Sequence, residues 1–203
     1  MTMPTLTPSE GLSSYEDLGA ILARIDRELR ARRPPGGMLT RIVAIDGLGG
    51  SGKSSFALLL SRELGGAVIV QTDDFATWDN PIDWWPDLLE RVLIPISRGA
   101  AARFERSRWG READGELVVV EPTEFLILEG VTASRDAFAP YLTYSIWVET
   151  PESLRLQRGL DRDGPTARER WQAWMAQEHR YRSNEQPDER ADLVVRGDRN
   201  LWT

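Results

Sequence analysis

Residues 41–55 read RIVAIDGLGGSGKSS, and this segment restricts the fold more than any other stretch of the chain. A short apolar run, Ile42 to Ile45, enters a glycine loop that ends on Lys53, Ser54 and Ser55. A helical pattern follows at once. Strand, glycine turn and helix begin a βαβ unit, which needs a parallel sheet to complete it. The chain holds 25 basic residues, and Lys53 is the one lysine among them. Arginine serves everywhere else, so the lysine marks a place where a compact, mobile point charge is wanted.

Gly47, Gly52, Lys53 and Ser54 satisfy the phosphate-loop spacing G-x-x-x-x-G-K-[ST]. The chemistry explains the composition. Glycines let the backbone curl so that several N–H groups face one anion. The helix behind adds the positive end of its dipole. Gly47, Gly49, Gly50, Ser51, Gly52, Lys53, Ser54 and Ser55 are therefore the expected nucleotide-binding residues. Lys53 reaches the β- and γ-phosphates, and Ser54 offers a hydroxyl to Mg²⁺. A rival reading exists, because Gly47, Gly49 and Gly52 also fit G-x-G-x-x-G. Asp73, 21 residues beyond Gly52, sits where a dinucleotide fold places its ribose-binding acid. Two features favour the phosphate loop: lysine and serine open the helix, and two acids, Asp73 and Asp74, follow the second strand. The single lysine also removes the guanine-reading Asn-Lys-x-Asp motif of switch GTPases, and no LSGGQ-type signature is present.

The rest of the chain repeats strand and helix in alternation. Continuous apolar runs occur at Ala67 to Val70, Phe125 to Leu128, Ser145 to Val148 and Leu193 to Val195. Continuous runs suit strands buried on both faces. Helical patterns lie at about 53–64, 84–98, 151–162 and 165–183. The expected fold is α/β: a doubly wound, mostly parallel five-stranded sheet flanked by helices, with an extra N-terminal helix. Leu117 to Val120 reads as half of a hairpin over the site face. An amphipathic helix at about 14–33 carries Leu18, Ile21, Leu22, Ile25 and Leu29, with Ser13 or Ser14 as its cap. The stripe is expected to pack on the domain, with a homodimer contact as the alternative. Residues 1–36 read as a lead-in plus this helix, and 37–203 as the phosphate-loop domain.

Composition narrows the function classes. There is no cysteine, which excludes disulfides, thiolate nucleophiles and CxxC zinc sites. The lone histidine, His179, excludes a histidine-rich metal centre. A net charge of −7 disfavours a broad nucleic-acid surface. No apolar run suits a membrane span, and the first residues have no secretory pattern. The expectation is a cytoplasmic protein with no nucleic-acid or membrane partner.

The ordered set GLGGSGKSS (47–55), TDDF (72–75), FLILEG (125–130) and RLQRGLDRDG (155–164) resembles the uridine kinase and phosphoribulokinase family. NPIDW (80–84), LIPISRG (93–99) and ADLVV (191–195) are similar to further segments of that family. The resemblance implies ATP and Mg²⁺ as cofactors, with a hydroxyl on a small molecule as the acceptor. It implies that Asp73 takes the acceptor's proton and that Glu129 holds Mg²⁺ through water or binds a substrate hydroxyl. Asp74 is a further candidate for the metal shell or the base. Arg158 and Arg162 would close over the triphosphate as a lid at about 155–166, with Gly159 and Gly164 giving it freedom. Trp78, Asp83, Trp84, Phe104 and Trp109 are candidates for the acceptor's walls. The family's Tyr-Asp-Phe and His in that region have no counterpart here. Nucleotide kinase, non-catalytic nucleotide-binding protein and dinucleotide-dependent oxidoreductase stand as alternatives.

Overall fold

The computed structural model describes residues 17–76, 82–106 and 116–198. Its centre is β1 (Arg41–Asp46), buried from Ile42 onward. Around it stand β2 (Val68–Gln71), β5 (Phe125–Glu129), β6 (Leu142–Glu149) and β7 (Leu193–Arg196), in the order β2-β5-β1-β6-β7. Every pair in this sheet is parallel. Side chains alternate across the pleat. Val43 and Ile45 therefore enter one apolar core with Ile127 and Ile146, while Ile42 and Ala44 enter the other with Leu126 and Leu128. Continuous apolar strands with helices on both faces are what the sequence predicts.

The first core is closed by α1 (Leu18–Ala31) and α2 (Lys53–Glu63). Ile21, Leu22, Ile25 and Leu29 of α1 are buried against Phe56, Leu60 and Tyr144. Polar ties fasten its solvent side: the Tyr144 hydroxyl donates to Glu28 at 2.7 Å, and Arg32 donates to Asp192 at 2.7 Å. The apolar stripe offered as a dimer contact is thus filled from within the chain. The helix ends two residues before the expected 33, because Arg32 is already extended. The expected caps, Ser13 and Ser14, lie outside the described residues.

The second core is covered by α3 (Trp85–Leu88), a π turn at Leu89–Leu93 and α4 (Ile94–Ser97). The sequence predicts one helix over 84–98. The π turn stands just ahead of Pro95, which lacks the N–H that an α-helix needs there. A two-stranded antiparallel hairpin, β3 (Ala102–Glu105) with β4 (Leu117–Val120), completes this side. The chain continues from β6 through α5 (Glu152–Asp163), α6 (Arg168–Glu185) and the short α7 (Pro187–Arg190), which leads into β7. Among the described residues no helix is long and apolar enough to cross a membrane.

Leu29 is fully buried in the first core. Leu29→Ala should lower unfolding stability by about 2–5 kcal/mol, the cost of a large-to-small change in a packed site. Urea denaturation checks this; a loss below about 0.5 kcal/mol would mean that α1 is a loosely held appendage.

Candidate active site

The loop 47–52 joins the carboxyl end of β1 to the start of α2, at the middle of the sheet. Gly50 has φ 76°, and a Cβ there would come within 2.5 Å of the Arg155 carbonyl oxygen. Only glycine permits both the left-handed turn and that approach. Gly52, also left-handed, precedes α2, and no side chain caps the helix. The first-turn amides of α2 therefore stay available to an anion. Lys53 is buried and its Nζ donates to the Leu48 carbonyl at 3.2 Å, folded back along the loop.

Glu129 ends β5, directly beside β1. Its carboxylate accepts from the Ser54 hydroxyl at 3.1 Å and from Gln71 at 3.4 Å. The β2–β5 register sets Gln71 opposite Glu129. Burial raises the Glu129 pKa; the Lys53 charge opposes this and the Asp73 charge reinforces it. Ser54, Gln71, Asp74, Arg106 and Glu129 line a cavity of about 210 Å³. Asp74 is buried and pairs with Arg106 at 2.8 Å. Burial raises its pKa as well, against the pull of Arg106. Asp73, its neighbour in sequence, is exposed. No cluster of three acidic or histidine side chains suited to a metal occurs among the described residues. A hydroxyl and a buried carboxylate are nonetheless hard oxygen donors. They suit Mg²⁺, which keeps water and substrate phosphate oxygens in its shell rather than an all-protein cage.

On the opposite side of the loop, Arg158 donates to the Gly50 carbonyl at 3.3 Å. Arg162 is 71% exposed at the far end of α5, chelated by Asp163 and stacked over Trp171. Its pKa is raised, first by the hydrogen bonds to Asp163, with a contribution from Asp73 across the cleft. Gly159 lies mid-helix beneath Trp171, whose indole fills the space of a Cβ, so this glycine serves close packing. Gly164, at φ 87° with open space around it, is the freer position.

The acceptor candidates divide. Trp84 and Phe104 are 4% and 2% exposed, packed around Phe75 in the second core. Neither lines the cavity beside Glu129. Asp83 is exposed near the start of α3. Trp78 and Trp109 lie outside the described residues.

Sequence reasoning missed two buried acids. Asp46, the last residue of β1, is 0% exposed and accepts from the amides of Gly47, Thr132 and Ser134. It also accepts from the Ser134 hydroxyl and from Tyr181 on α6. Its signal was available: an acid closing an otherwise apolar strand. Glu178 of α6 is also 0% exposed and accepts from the Gly49 amide at 2.7 Å. Nothing local in the sequence separates it from the other acids of that helix.

No family model matches the chain. The chain is 28% identical over 140 residues to a uridine kinase of Halobacterium salinarum, covering 60% of this chain and 61% of that one. It is 30% identical over 149 residues to the uridine kinase of Escherichia coli K12, covering 60% of this chain and 68% of that one. The chain belongs to the uridine kinase-like family of P-loop kinases. It thus spans about three fifths of the first relative's length and two thirds of the second's. A solved structure described as a "possible uridine kinase" from Bacillus stearothermophilus shares the fold, with TM-score 0.64 and 18% identity. That match covers 88% of this chain and 98% of the other. The uridine kinase-like fold accounts for the five parallel strands and for the loop at their centre. The dinucleotide-binding alternative falls with this assignment.

The buried Glu129 carboxylate predicts a trade of stability against function. A carboxyl whose folded pKa is raised contributes stability that is full at low pH and lost as pH rises through the folded value. Glu129→Gln removes that loss. The variant should therefore gain in thermal stability over the parent as pH rises from the ordinary glutamate range toward neutrality, in Mg²⁺-free buffer. Melting curves at several pH values check this; a difference that does not change with pH would contradict it.

Proposed function

We propose that this protein transfers the γ-phosphoryl group of ATP to a hydroxyl of a small molecule. The observation that carries the reading is the meeting of Ser54 and Glu129 at 3.1 Å beside the loop, in the field of both Lys53 and Asp73. The loop amides and α2 receive the triphosphate, and Lys53 swings from the Leu48 carbonyl to the β- and γ-oxygens. Ser54, and Glu129 through water, would hold Mg²⁺, which supplies charge neutralisation on the phosphates. Asp73 accepts the acceptor's proton as its oxygen bonds to the γ-phosphorus. The bond from that phosphorus to the bridging oxygen breaks, and ADP leaves with the electron pair. Asp74 is already committed to Arg106, so Asp73 is the better base. Arg162 is the lid residue best placed to move over the γ-phosphate, being exposed and felt by Asp73.

Arg106 also bears on the acceptor. Its guanidinium faces Asp74 at 2.8 Å and Glu116 at 3.4 Å, so its charge is already met. That favours a hydroxyl acceptor, nucleoside-like or another polyhydroxyl metabolite, over the phosphate acceptor of a nucleotide kinase.

A screen of ATP consumption against hydroxyl-bearing metabolites identifies the acceptor. With that acceptor, Asp73→Asn should lower kcat by about 10²–10⁴ and leave the KM for ATP within about twofold. Equal, slow turnover of Asp73→Asn and the parent with every acceptor would instead support a non-catalytic nucleotide-binding role. Lys53→Met should abolish measurable turnover and weaken Mg-ATP binding, as read by calorimetry.

A further inference from the structure

Three successive carbonyls of the phosphate loop are held from outside. The Gly49 oxygen accepts from Arg155 at 3.3 Å, the Gly50 oxygen from Arg158 at 3.3 Å, and the Ser51 oxygen from the Thr150 hydroxyl at 2.9 Å. A trans peptide points its carbonyl and the next N–H in opposite directions. Each held carbonyl therefore turns the following amide inward. The Ser51 amide is spent on the Leu48 carbonyl at 3.1 Å. The amides of Gly50 and Gly52 are the ones this arrangement presents to an anion.

The holder of Gly49 is itself built into the interior. Arg155 is buried, donates to the Thr150 carbonyl, and pairs with Glu178 at 3.4 Å. Glu178 takes the Gly49 amide with one oxygen and the Trp174 indole N–H with the same one. Both backbone polar groups of Gly49 are thus bound to one buried ion pair. A Cβ on Gly49 would meet Glu178 at 2.9 Å, Trp171 at 3.2 Å and Trp174 at 3.3 Å. Burying a carboxylate so completely is costly unless both oxygens are paired and hydrogen-bonded. Three donors meet the two oxygens here.

We propose that Glu178, acting with Arg155, is a positioning residue for nucleotide binding: it presets the Gly49 peptides so that the loop's inward amides are ready for phosphate. This rests on reading residues 47–54 as the nucleotide's phosphate site. Glu178 does not touch the triphosphate. Its effect travels through the loop backbone, 129 residues away in sequence.

The test measures dissociation constants for Mg-ADP and for inorganic tripolyphosphate by calorimetry, together with melting temperatures. Tripolyphosphate has no nucleoside, so it reads the phosphate cradle alone. Glu178→Leu should weaken both ligands about tenfold or more, through the loss of two linked backbone bonds. Glu178→Gln keeps an acceptor for the Gly49 amide and should stay within about threefold. If Glu178→Leu fails to fold, Thr150→Val serves; it removes the bond to the Ser51 oxygen at equal volume and should weaken both ligands about fivefold. A lowered melting temperature with unchanged dissociation constants would reduce Glu178 to packing and overturn the proposal. So would equal losses in the Gln and Leu variants, or tighter binding in either. Failure of the unaltered protein to bind either ligand would instead overturn the phosphate-site reading, and this inference with it.

Discussion

The carboxylate of Asp46 is the contact on which the rest of the site is hung. It sits at the end of the central strand, fully buried, and takes five hydrogen bonds from three separate parts of the chain. An ionised carboxyl without such partners would cost several kcal/mol in an apolar interior. The five donors are therefore held as firmly as the acid itself. They fix the entry of the phosphate loop, the turn after Glu129 and the face of α6. Tyr181 shares in the exchange: burial and the Asp46 charge push its phenol well above its usual range, so it stays a donor.

Around that anchor the charges are arranged against the folded state. Lys53 lies between two buried acids, Glu129 and Glu178, and each has its pKa raised by burial and eased by the lysine. Apolar substitutes would be cheaper. Natural proteins accept such costs where a function needs the charge. The chain's net charge of −7 does not prevent an anion site at this point, because the attraction is supplied locally by amides, one helix end and one lysine.

Most of the architecture was legible, and for a physical reason. Strands such as Ile42 to Ile45 bury both faces, so their apolar run is continuous and hard to mistake. The phosphate loop was legible because its geometry forbids most residues. Asp46 apart, what escaped lacks a local signature. β3 is four residues with only Ala102 and Phe104 turned inward, too little to outweigh its arginine and glutamate. The π turn depends on one proline within an otherwise sound helical pattern. Trp84 and Phe104 illustrate a different limit: aromatics near a site look alike in sequence, whether they line it or support it from the core. Arg155 and Glu178 are harder again. Each sits on a helix crowded with charge, and only the close passage of α6 over Gly49 distinguishes them.

The order of strands has a consequence for how the protein comes into being. β1 is written early in the chain, yet its two neighbours, β5 and β6, begin at Phe125 and Leu142. Long-range parallel pairing of this kind is slow, since the chain must close large loops before any contact repays it. Glu178 meets the loop across 129 residues, and Tyr181 meets Asp46 across 135. On a ribosome, the glycine loop would emerge long before anything could shape it. The nucleotide binding proposed above is then among the last properties the chain would acquire, and holding nucleotide would be a sign that nearly all of the molecule is in place.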